Sequence, residues 1–160
     1  MLHFTAQESD GSDRNGWSAS VERSIQDYIL AGSPNEQPEV ILIATGSEVS
    51  LCVQAFEQLA SEGIKARVVS LPSWELFTRP SELFTRQSQE YRDSVLPPNV
   101  SARVAVEQGS TLGWERWVGP QGHIIGMESF GSSAPLKDLQ KKFGFLSESV
   151  AQAAKRVLNR

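Results

Sequence analysis

Residues 39–45 read Glu-Val-Ile-Leu-Ile-Ala-Thr, and this run constrains the chain more than any other stretch. A strand that faces water on one side alternates apolar with polar residues. A continuous β-branched apolar run belongs to a strand covered on both faces. Such a strand needs helices above and below it, and the next residues supply one. Gly46-Ser47 turns the chain, and Val49, Cys52, Val53, Phe56, Leu59 and Ala60 then form one stripe of an amphipathic helix. Ser47 suits its N-cap, Glu48 its first turn and Gly63 the position just past its end. Residues 66–71 are a second buried strand. Strand, helix and strand make a βαβ unit, whose crossover is right-handed by rule.

The same alternation continues. Residues 27–31 are a short strand ahead of the turn residues Gly32-Ser33-Pro34-Asn35. Residues 90–96 form a helix stopped by Pro97-Pro98. Residues 102–107 are a third buried strand, 109–118 a loop with a short helix, and 123–127 a fourth central strand. Pro135 suits N1 of a helix bearing Leu136, Leu139 and Phe143 and closed by Gly144. Ser147 caps a last helix with Val150, Ala154, Val157 and Leu158 inward. The pattern predicts a three-layer α/β/α sandwich with a mostly parallel sheet. A length of 160 residues suits one domain. Residues 5–20 are polar and aperiodic, so 1–20 read as a flexible leader and 21–160 as the domain.

Composition narrows the partners. A net charge of -4 gives no general pull toward nucleic acid or anionic lipid. No apolar run approaches the roughly 20 residues a membrane helix needs. The first residues show no secretory signal, so the cytoplasm is the expected location. The single cysteine, Cys52, lies on a helix's apolar stripe and reads as a core residue.

Few residues could carry chemistry. The turn Thr45-Gly46-Ser47-Glu48 joins a strand's carboxyl end to a helix N-terminus, where an anion can bind, although Glu48 opposes a phosphate. Ser47 alternatively only caps the helix. Glu107 ends a buried strand at the edge where open α/β sheets collect ligands, and there it is either functional or a cap. Trp114 and Trp117 share one helical face, which is either core or a docking surface. His123 has no partner that would make it a general base, and no metal-binding spacing is present. No catalytic, cofactor-binding or metal-binding residue is therefore assigned.

The runs Ile41-Leu42-Ile43-Ala44-Thr45-Gly46-Ser47-Glu48-Val49, Ala66-Arg67-Val68-Val69-Ser70-Leu71-Pro72 and Ala102-Arg103-Val104-Ala105-Val106-Glu107 together resemble the C-terminal domain of transketolases. So do Tyr91-Arg92-Asp93-Ser94-Val95-Leu96-Pro97, Gly113-Trp114, Phe130-Gly131-Ser132-Ser133-Ala134-Pro135 and Phe143-Gly144-Phe145. The resemblance spans about residues 18–159. It implies a five-stranded mixed sheet whose first strand, near Tyr28, runs antiparallel to the rest. Transketolases move a two-carbon ketol unit between sugar phosphates using thiamine diphosphate and a divalent cation. The resemblance implies that preceding domains hold those cofactors and that this chain binds none. It also implies a structural and assembly role, with self-association or docking to the missing domains. A small-ligand or regulatory module using the Thr45 to Glu48 turn is the alternative.

One feature departs from the family. Glu75-Leu76-Phe77-Thr78-Arg79-Pro80-Ser81 is followed at once by Glu82-Leu83-Phe84-Thr85-Arg86-Gln87-Ser88. Two copies are too few for a solenoid and read as a duplication absorbed by a surface loop; a heptad shift keeps a helical face in phase, so a lengthened helix is the alternative, which Pro80 opposes. Deleting residues 75–81 leaves the same Glu-Leu-Phe-Thr-Arg run after Trp74. Stability is expected to stay within about 1 kcal/mol, because loop-closure entropy changes slowly with length. Denaturant midpoints of the two forms check this; a loss of several-fold more contradicts it.

Overall fold

The computed structural model describes residues 28–32, 36–78 and 88–160. The expected leader and the second copy of the repeat, apart from Ser88, lie outside the described residues. Five strands form one sheet: β1 (Ile29–Ala31), β2 (Val40–Ala44), β3 (Ala66–Ser70), β4 (Arg103–Ser110) and β5 (His123–Met127). Their order is β1-β3-β2-β4-β5. β1 pairs with β3 antiparallel and every other pair is parallel. The expected mixed sheet with an antiparallel first strand is therefore present. β5 is an edge strand, however, not a central one. Its sequence looks central because Ile124 and Ile125 are half covered by flanking elements.

Around the sheet lie α1 (Val49–Ser61), α2 (Trp74–Thr78), α3 (Gln89–Val95), α4 (Glu115–Val118), α5 (Leu136–Phe143) and α6 (Ser147–Val157). All five residues of β2 are fully buried. Val40, Leu42 and Ala44 point into a core shared with Cys52, Ala55 and Leu59 of α1 and with Val150 and Ala154 of α6. Ile41 and Ile43 point to the other face, toward Phe77 of α2, Val95 of α3 and Trp117 of α4. The period-two direction of strand side chains thus divides one apolar run between two helical layers.

Several expected caps sit one residue away. Ser47 lies inside a 3₁₀ turn, Gly46–Glu48, and its hydroxyl donates to Glu48 Oε1 at 2.8 Å instead of capping α1. Leu146 precedes α6 and Ser147 is its first residue; Pro135 takes the capping position of α5, ahead of N1. Gly144 closes α5 at φ 78°, a left-handed value open to glycine without steric penalty. Ser88 caps α3, its hydroxyl accepting from the Tyr91 backbone N–H at 3.1 Å.

The repeat is more than surface. Residues 75–78 belong to α2, and Phe77 is 3 % exposed in the core. Its ring meets Tyr28 edge-on at 5.0 Å and Trp117 at 5.6 Å, while Trp74 meets Trp114 at 5.2 Å. Trp114 and Trp117 are 2 % and 6 % exposed, so both face inward and neither offers a docking anchor. Edge-to-face pairs of this kind add to the value of burial itself. Trp117→Ala is expected to cost about 3–5 kcal/mol of stability, the range for large aromatic truncations in a core. Chemical denaturation followed by circular dichroism measures it; a change under about 1 kcal/mol contradicts the core assignment.

Candidate functional site

The chain leaves β2 for β3 on one side, and β4 then adds on the other side of β2. The carboxyl ends of β2 and β4 therefore flank the point where the winding reverses, the usual crevice for ligands in an open α/β sheet. Thr45 continues β2 in extended conformation, with φ -126° and ψ 161°. Gly46 then takes φ 53°, and the Glu48 N–H closes the turn on the Thr45 carbonyl at 3.2 Å. A side chain at Gly46 would strain this left-handed turn.

β4 brings Glu107 to the same place, because Val106 pairs with Ala44. Thr45 Oγ1 donates to Glu107 Oε2 at 3.3 Å. Burial raises the Glu107 carboxyl above its ordinary value, the Glu48 charge raises it further, and the Thr45 hydroxyl partly offsets both. Glu48 is 5 % exposed and receives the Ser47 hydroxyl. Both hydroxyls of the expected anion turn thus donate to carboxylates. The crevice presents negative charge and acceptor oxygens, which suit a donor-bearing or cationic ligand better than a phosphate.

The other candidates lie elsewhere. His123 opens β5 at the opposite, amino edge, where burial and the Arg156 guanidinium lower its pKa. Cys52 is fully buried, and its thiol is pushed up to about 12, first by burial and then by Glu48. A thiol so placed is inert as a nucleophile. Trp114 and Trp117 belong to the core on the other face of the sheet. The pairing of Glu48 with Glu107 was not visible in the sequence, since strand order alone makes them neighbours. Two buried or half-buried cations were also missed. Arg67 donates to the carbonyls of Ser94 at 2.6 Å and Glu36 at 2.8 Å; Arg103 donates to those of Val100 at 2.9 Å and Trp117 at 2.8 Å. Each pins loops at the amino edge of the sheet, so their role is architectural.

Fold and site define an open, doubly wound α/β domain with a carboxylate-lined switch point. Residues 27–146 match the family model described as the transketolase-like C-terminal domain. "Transketolase 7" of Craterostigma plantagineum is 50% identical over 123 residues, covering 77% of this chain and 17% of that protein. A transketolase of Geobacillus stearothermophilus is 44% identical over 133 residues, covering 83% of this chain and 19% of that protein. Among solved structures, a Pichia stipitis transketolase in complex with sedoheptulose 7-phosphate superposes with a TM-score of 0.71 at 37% identity, over 87% of this chain and 19% of that one. A split-gene transketolase, described as an inactive β4 tetramer, superposes at 0.56 and 21% identity over 78% of this chain and 40% of that one, a likeness of fold alone. The chain belongs to the transketolase family and corresponds to its C-terminal domain. It spans less than a fifth of the length of these curated relatives.

The raised Glu107 carboxyl gives a signed expectation. A carboxyl whose folded pKa exceeds its unfolded value holds its proton more tightly in the fold. It costs nothing below the unfolded pKa, and its penalty grows as pH rises to the raised folded value. Glu107→Gln is therefore expected to gain stability relative to the native chain between about pH 4 and neutrality. Thermal melts across that range check it; a difference that stays flat or shrinks with rising pH contradicts it.

Proposed function

We propose that this chain is the structural and assembly domain of a transketolase and performs no ketol transfer by itself. The observation that carries this is the confinement of the match to 17% and 19% of the two curated relatives described above. Transfer of a ketol unit needs a bound cofactor and groups positioned around it. The crevice at Glu48 and Glu107 does not fit thiamine diphosphate, because both carboxylates repel a diphosphate. Among the described residues no group of three or more His, Cys, Asp or Glu could hold a cation. We assign both cofactors to the rest of the enzyme. Self-association is the other partner in this reading. The cytoplasm is the location we infer, supported by the single buried thiol Cys52, which suits a reducing compartment.

A second reading has one observation in its favour. The paired carboxylates stand at the topological switch point, where a small cationic or donor-bearing ligand would find acceptors. In that case a ligand would perturb the amide signals of Gly46 and Ser47 ahead of all others.

The purified chain is expected to fold and to give no turnover from a ketose phosphate with added thiamine diphosphate and magnesium. The assay is ketol transfer against a no-protein blank. Turnover above the blank that survives repurification contradicts the proposal.

A further inference from the structure

The seven-residue repeat is used neither by the switch point nor by the proposed function. Residues 75–81 and 82–88 agree at six of seven positions and differ only at Pro80 and Gln87. The first copy supplies most of α2 and buries Phe77 between Tyr28 and Trp117. Three hydrogen bonds that fix it need no side chain unique to this copy. The Phe77 N–H donates to the Ser73 carbonyl at 3.2 Å, the Thr78 hydroxyl to the Trp74 carbonyl at 2.6 Å, and Arg92 Nη1 to the Thr78 carbonyl at 3.2 Å. A second Phe-Thr pair with two backbone carbonyls ahead of it has the same donors and acceptors. Phe84 and Thr85, which lie outside the described residues, stand in that spacing after Pro80 and Ser81. The Trp74 ring, set against Trp114 and Trp117, has no counterpart in the second copy, because Ser81 takes its place.

The links on either side allow a shift. Arg92 lies one helical turn after Ser88, its N–H bonded to the Ser88 carbonyl at 3.1 Å, and its guanidinium reaches the Thr78 carbonyl. The end of the first copy therefore stands beside the start of α3. Three Cα steps from Thr85 to Ser88 span roughly 10 Å, the scale of the contact that Arg92 bridges. On the other side, the link from Leu71 gains seven residues, and such lengthening costs little closure entropy. We propose that this site has two registers, occupied by Phe77 in one and by Phe84 in the other, and that the segment between β3 and α3 slips by seven residues to exchange them. The Trp74 contacts favour the Phe77 register. In the Phe84 register the surplus chain follows Leu71, whose N–H donates to the Ala44 carbonyl at 2.9 Å. The slip thus moves seven residues from the α3 side of the domain to the carboxyl end of β2, next to the crevice of Glu48 and Glu107. A ligand or partner that touches one arrangement and not the other shifts the population between them. The proposal is independent of the function assigned above.

The test is a double-mutant cycle on the 160-residue chain, with Phe77→Ala, Phe84→Ala and both together, read by denaturant midpoint and far-ultraviolet circular dichroism. Phe84→Ala is expected to leave the midpoint unchanged. Phe77→Ala is expected to keep the fold and to lower the midpoint by less than about half the drop of the double variant, because Phe84 then fills the site. The double variant leaves the site without a ring, so its failure to fold counts as the larger loss. A Phe77→Ala drop equal to that of the double variant overturns the proposal, and loss of the fold in Phe77→Ala does so too. A Phe84→Ala drop as large as that of Phe77→Ala also overturns it, since both rings are then needed at once. A second measurement follows Trp74, which leaves Trp114 in the Phe84 register. Acrylamide is expected to quench an additional tryptophan in Phe77→Ala, and the excess is expected to vanish when Trp74→Phe is added. Quenching of Phe77→Ala equal to that of the native chain, with the fold kept, overturns the slip.

Discussion

Five successive side chains, Val40 to Ala44, are wholly withdrawn from water, and the rest of the domain follows from that fact. A strand buried on both faces cannot exist without a layer on each side. Val40, Leu42 and Ala44 draw α1 and α6 to one face, while Ile41 and Ile43 draw α2, α3 and α4 to the other. Burying apolar surface contributes roughly 25 cal/mol per Å², so the centre of the sheet is where the favourable term concentrates. The same strand then delivers Thr45 and Gly46 to the switch point, so the constraint that builds the core also sets the position of the crevice.

The two layers are built differently. α1 and α6 are regular helices that pack through small residues such as Ala55, Ala151 and Ala154. The opposite layer consists of short helices whose contacts are aromatic: Trp74, Phe77, Trp114 and Trp117 meet at ring separations of 5.2 to 6.0 Å. Short helices bury little regular surface, and large rings compensate for it. Arg103 supports this layer from below by holding the carbonyls of Leu96, Pro97, Val100 and Trp117. A charged side chain at the start of a strand looks like a flaw in the apolar pattern, but here it donates to four backbone carbonyls of the neighbouring loops and helix.

What the sequence revealed divides along physical lines. Local signals were legible: the run at residues 39–45, most of the stripe of α1 and the stop at Gly144 all depend on neighbours in the chain, although Ala60 of that stripe is exposed while Leu51 and Ala55 outside it are buried. The antiparallel β1 followed from the family resemblance, since three residues carry no directional signal of their own. Long-range facts were not legible. Glu48 and Glu107 become neighbours only because β4 pairs with β2. Trp114 and Trp117 do share a face, as their spacing indicated, but only Phe77 and Trp74 on a distant segment decide that this face is core. The stripe Leu136, Leu139 and Phe143 was correctly periodic, yet periodicity cannot tell Phe143, which packs against the core, from Leu136, which stays exposed.

The central claim is that β2, covered from both sides, holds the two layers together as one cooperative unit. Native-state amide hydrogen exchange tests this directly. Amides of Leu42, Ile43, Val68, Val104 and Ala105 are expected to exchange only through global unfolding, with one shared free energy equal to that from denaturant titration. The account is contradicted if these amides exchange through a smaller opening, or if the α1–α6 layer and the aromatic layer unfold with separate free energies.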